Sequence, residues 1–209
     1  MTRRTLTTVL STAAAVSVIA GCSGGSTAAP ASTPQAPSST AAALPHSGAP
    51  KVEHPLPSSV LSGQPCQEAL TSGQLTEILG MVPQGKPDTL PGIGSKCDWS
   101  NLDSGAGVTI YYGTLTHQGL SAVYQNTKPQ AKVWKELPPI QGFPAVAHST
   151  FSSGTDTGFC AVTVGVSDEL TVDASLTLSD AKQGKADPCE LTARVADMVV
   201  TNLRQKAGS

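Results

Sequence analysis

Cys22 is the residue whose surroundings most narrowly define a chemistry. It closes Ile19-Ala20-Gly21-Cys22 directly behind an apolar run, Leu6 to Ala20, that follows Arg3 and Arg4. A bacterial lipoprotein signal needs small residues before the cut and a cysteine after it, because the sulfur of the new N-terminus receives a diacylglyceryl group. The run is too short and too rich in Ala, Ser and Thr to span a bilayer, which takes about 20 predominantly apolar residues. Residues 1–21 are therefore expected to be cleaved and Cys22 to be the lipid anchor. The arginine pair is compatible with either general or twin-arginine export.

Four more cysteines, Cys66, Cys97, Cys160 and Cys189, could act as thiols, and Cys66 and Cys189 both follow a proline near an expected helix start. A reduced thiol there would have a depressed pKa. No Cys-x-x-Cys occurs, and an even set of cysteines in an exported domain points to disulfides. The expected pairing is Cys66 with Cys189 and Cys97 with Cys160, since the latter two each open a strand on its core face. The sequential pairing, Cys66 with Cys97 and Cys160 with Cys189, is the alternative.

His117 and His148 lie in the expected domain, outside any metal-binding spacing, and His46 and His54 lie in or beside a linker. No Gly-x-Ser-x-Gly elbow occurs in the folded part. Pro91-Gly92-Ile93-Gly94-Ser95-Lys96 has the residues of an anion cradle but precedes a strand instead of opening a helix, so it reads as a turn. No catalytic residue, metal site or cofactor is expected. Trp99 shares a face with Cys97 and reads as core. Trp134 alternates with Lys132 and Glu136, so it is expected to be partly exposed and is the candidate partner contact; the alternative is that a helix or loop covers it.

These residues must be carried by secondary structure. Thr71-Ser72-Gly73-Gln74 has capping-box form, with Leu75, Ile78 and Leu79 on one face and Gly80 as the stop. Residues 81–94 read as a loop rich in Pro and Gly. Strands are expected over 96–100 and 108–112, a helix over 117–126, and extended segments over 132–137 and 143–148, the first closed by Pro138-Pro139. Residues 159–166 and 170–178 form the clearest hairpin. Asp187 as N-cap, Pro188 behind it, and a stripe through Leu191, Val195, Met198, Val199 and Leu203 define the last helix. The order favours an α+β fold, an antiparallel β-sheet with helices packed on it, stapled by disulfides.

Composition bounds the rest. Residues 23–55 hold 26 Ser, Thr, Ala, Pro or Gly out of 33, too little apolar surface to offset ordering entropy. The lipidated cysteine and a disordered tether are thus expected over 22–55, and one globular domain over 56–209. Without residues 1–21 the chain has 11 Lys and Arg against 15 Asp and Glu, which excludes nucleic acid as the natural partner.

Pro65-Cys66 with Leu79-Gly80 at the end of the following helix, Cys97-Asp98-Trp99, Gly142-Phe143-Pro144-Ala145, Cys160-Ala161-Val162 and Asp187-Pro188-Cys189-Glu190 occur in that order. With the lipobox and the tether, this pattern resembles the actinobacterial lipoproteins of the DUF3558 domain family, over nearly all of residues 64–205. The resemblance implies a membrane-anchored envelope lipoprotein and no catalytic residues, the family's role being unassigned. The function expected is a non-enzymatic binding or interaction module on the extracytoplasmic face of the cell membrane, held by its N-terminal lipid. Its partner would be an envelope protein, cell-wall material or lipid. The alternatives are a carrier of an apolar ligand inside the helix-sheet sandwich and a small envelope hydrolase.

Overall fold

The computed structural model describes residues 43–151 and 158–208. Its strands are β1 (Lys86–Leu90), β2 (Gly94–Asn101), β3 (Ala106–Gly113), β4 (Val133–Ile140), β5 (Phe143–Ser149), β6 (Phe159–Gly165) and β7 (Thr171–Thr177). They form one antiparallel sheet in the order β1-β2-β3-β7-β6-β5-β4. It is two meanders side by side, β1 to β3 and β4 to β7, joined where β3 pairs with β7.

One face of the sheet is the core. Cys97, Ile110, Ala174, Val162 and Ala147 line up in register across five strands, and Tyr112, Val172, Val164 and Ala145 form the next rank. The helix α4 (Pro188–Ala207) is seated on these ranks through Val195, Ala196, Val199, Val200 and Leu203, all buried. Each such Val or Leu contributes about 1.5–3 kcal/mol by leaving water. The ends of α4 are set by its sequence: the Asp187 carboxylate accepts from the amides of Cys189 and Glu190, and Gly208 ends the helix in the left-handed region at φ 77°. Two further helices, α1 (Pro65–Glu68) and α2 (Ser72–Leu79), add Ala69, Leu75 and Leu79 to the same core.

The opposite face carries small and polar side chains. One rank runs Asp98, Thr109, Ser175, Ala161, His148, Trp134, and the next Lys96, Tyr111, Asp173, Thr163, Val146, Glu136. The helix α3 (Gly119–Asn126) covers part of this face, with Leu120 against the bare Cα of Gly165. Both sheet edges resist further pairing: β1 is exposed throughout and carries Pro87, and β4 carries Pro138 and Pro139 at a register irregularity between Leu137 and Ile140.

Four expectations are corrected. The disulfides are Cys66–Cys97 and Cys160–Cys189, with Cα atoms 5.1 and 5.0 Å apart, so the sequential pairing holds and the expected Cys66–Cys189 and Cys97–Cys160 pairing does not. Cys97 and Cys160 do share the core face, but β3 and β7 stand between their strands. Three strand steps at about 4.8 Å each are far beyond the reach of a disulfide. Each of these two strand cysteines instead bonds to a cysteine of a helix, Cys97 to Cys66 and Cys160 to Cys189. The loop expected over 81–94 contains β1, whose Pro, Lys and Asp hide its strand character. Pro138-Pro139 does not close β4, because an edge strand needs no amide on its open side. The ordered domain also starts before residue 56. Within 43–55, Val52 is buried and its amide donates to Asp168 Oδ1 at 2.9 Å, and the following Leu56 amide donates to the Val166 carbonyl at 2.9 Å.

Candidate functional site

A gap in the packing lies where α2 ends. Its start is fixed by the expected capping box of Thr71 and Gln74, and it is tied to α4 because Asn202 Nδ2 donates to Gln74 Oε1 and to the Ala69 carbonyl at 2.8 and 2.9 Å. Its end is held by Asn101 Nδ2, which donates to the Leu79 carbonyl at 2.8 Å, and Gly80 turns the chain away at φ 75°. The Asp180 amide donates to the Ser104 carbonyl, which fixes the β2–β3 turn against the segment leading into α4.

Between these fixed points a cavity of about 460 Å³ opens between α2, α4 and the ends of β3 and β7. Its floor is the buried Leu79, Ala106, Leu176, Leu178 and Val195. Ile78, Leu191 and Met198 form half-buried walls, and the exposed Glu77, Lys182 and Arg194 stand at the mouth. Among the described residues neither Lys182 nor Arg194 has an ion-pair partner. Chemically, the cavity can take an apolar body and offer charge to a polar end.

The polar face of the sheet holds the remaining titratable groups of interest. His148 Nε2 lies 3.0 Å from Thr163 Oγ1, the Thr163 hydroxyl donates to Asp173 Oδ1 in a short bond, and Thr171 Oγ1 donates to Asp173 Oδ2 at 2.9 Å. Burial lowers the His148 pKa to about 4 and raises that of Asp173. Thr163 is fully buried, and its hydroxyl is engaged between imidazole and carboxylate. The chain of bonds therefore ties β5, β6 and β7 together and offers no nucleophile to solvent.

Trp134, the expected partner contact, is half-buried beside this cluster. Its ring stacks near His148 at 6.3 Å and meets the edge of Tyr124 of α3 at 5.0 Å. Lys128 Nζ sits 4.6 Å from the Tyr124 ring and 5.1 Å from the Trp134 ring, and 3.4 Å from Glu136. The Tyr124 hydroxyl and the Lys128 ammonium hold the Glu136 carboxyl below its usual range, while burial and Glu136 push Tyr124 up to about 12. Both expectations for Trp134 are thus partly met: Tyr124, His148 and Lys128 lie against the ring and the indole nitrogen is buried, while the side chain as a whole is only half-buried.

Cys22 and the signal of residues 1–21 lie outside the described residues. Trp99 is core as expected, and Pro91 to Ile93 form the turn between β1 and β2. His46 and His117 face one shallow depression, and no group of three metal-ligating side chains occurs among the described residues. The sequence pattern placed Leu191, Val195, Met198 and Ile78 on apolar stripes and so assigned them to the core. Nothing in their spacing marks the gap, which opens where α2 ends at Gly80. Lys182 and Arg194 come from separate elements and carry no common motif.

No curated protein and no solved structure matches the chain. The family model described as "Protein of unknown function (DUF3558)" matches residues 17–202, a stretch that takes in both disulfides, every strand and the cavity, and the chain belongs to that family.

Proposed function

We propose that this protein is a lipid-anchored envelope lipoprotein that acts by binding, with the cavity between α2, α4 and the ends of β3 and β7 as its ligand site. The cavity is the observation that carries the reading. Its 460 Å³ falls within the range of small-molecule sites, about 300–1,000 Å³, and its floor is apolar side chains that a finished core would pack against one another. The anchor rests on Ile19-Ala20-Gly21-Cys22 behind its apolar run. A protein held at the membrane surface meets apolar molecules where they are concentrated.

Native mass spectrometry of the whole acylated protein, drawn gently from its membrane, tests this. The expected spectrum has a noncovalent adduct that disappears in Met198→Trp, a change that puts an indole into the cavity from a half-buried wall, while the melting temperature stays near wild type. A wild-type protein that carries no adduct and takes up no apolar probe would overturn the proposal. In-membrane cross-linking to one protein partner, unchanged in Met198→Trp, would move the function to the surface around Trp134.

A further inference from the structure

We infer that the ligand is an anionic amphiphile, taken up chain first, with its head group held at the mouth by Lys182 and Arg194. This deepens the reading of the cavity as a ligand site and rests on it. Three observations lead here. The floor is mainly the carbon of Leu79, Leu176, Leu178 and Val195, with Ser104, Thr177 and Ser179 as the hydroxyl-bearing lining residues, so the buried part of the ligand that fits it is largely apolar. The mouth has two cations against the one carboxylate of Glu77, a local positive excess on a chain whose net charge is −2, and neither cation has an ion-pair partner among the described residues.

The third observation is the lip. Met81 and Val82 follow directly on Gly80 and are 42% and 52% exposed, and Leu102, in the turn before Ser104, is 88% exposed. Gly80 and Ser104 both border the cavity, and the bond from Asn101 to the Leu79 carbonyl keeps the two segments side by side. Large apolar side chains left bare beside an apolar cavity with a cationic mouth fit a surface that meets lipid. An anionic molecule with one acyl chain satisfies the floor, the mouth and the lip together. A neutral apolar molecule would leave the cations unused, and a cationic one would be repelled by them.

The test uses the whole chain from residue 22, produced without its signal so that Cys22 stays unacylated, with dodecanoate, dodecanol and dodecyltrimethylammonium as probes in calorimetric titrations. Dodecanoate is expected to bind about five- to tenfold more tightly than dodecanol, with a preference that shrinks as salt rises. The double variant Lys182→Gln with Arg194→Gln, both changes on exposed side chains, should lose the preference and keep the dodecanol affinity. Met198→Trp should weaken all three. Equal binding of the three probes, or a preference untouched by the double variant, would overturn the head-group assignment and leave the cavity reading standing. Binding of none of them by folded wild-type protein would overturn both.

Discussion

His148 shows what one partly buried side chain does to the pH behaviour of a fold. Its imidazole stays neutral because burial lowers its pKa to about 4, against an ordinary 6.5. Below about pH 6.5 the unfolded chain therefore takes up a proton that the folded one refuses. Stability should fall as pH drops from about 6.5 to about 4, by up to about 3 kcal/mol before allowance for the solvent at the ring edge, with no contribution at higher pH. Asp173 works in the opposite sense: burial raises its pKa, so acidification relieves the cost of its charge. The comparison of wild type with His148→Gln, whose amide can still donate to Thr163, isolates the imidazole. Thermal melts between about pH 7 and about 4.5 should show a smaller loss for the variant, and parallel curves would mean that His148 is not held neutral. Trp134, beside it, is half-buried against Tyr124 and His148. Trp134→Ala is expected to cost about 2 kcal/mol, less than the 3–5 kcal/mol of a fully buried indole, because only part of the ring leaves water on folding. A loss near 5 kcal/mol on chemical denaturation would mean that Trp134 belongs to the main core.

At the scale of elements, the disulfides each close a short circuit between a strand and the helix on top of it. With sequence separations of 31 and 29, the chain-entropy model gives about 3–4 kcal/mol for each bridge, less any strain. Peptide mapping without reduction should recover 66–97 and 160–189 pairs. Replacing Cys160 and Cys189 together by Ala should lower stability by about that amount in urea titrations, and a change below about 1 kcal/mol would show that α4 is held by its apolar stripe alone. The same elements explain what was legible in the sequence. Caps and periodicity are local signals, so α2, α4, β2, β3 and the β6–β7 hairpin stand near their expected ends, and the alternation in β6 names its core face. Strand order is not local. Cys97 and Cys160 have equivalent faces in the pattern, and only the insertion of β3 and β7 between them decides the pairing. The cavity was illegible for the same reason: Met198 and Ile78 satisfy a core pattern whether or not anything fills the space between them.

At the scale of the whole molecule, the folded domain reaches back to His46, whose amide donates to Ser121 Oγ at 2.9 Å, and Val52 is packed beside Gly165. The stretch over 22–55 that composition alone marks as a tether therefore overlaps the folded domain from His46 onward. The proposed anchor and the proposed ligand site are separate features of the chain, so they should fail separately. Cys22→Ala should abolish labelling by a fatty-acid analogue and leave an uncleaved precursor. The domain should still melt like wild type, because none of its described packing involves residue 22. Met198→Trp should do the reverse, keeping the acyl label and losing the ligand. If labelling and membrane retention both persist in Cys22→Ala, the lipobox does not direct acylation, and the domain must reach its ligand by another route.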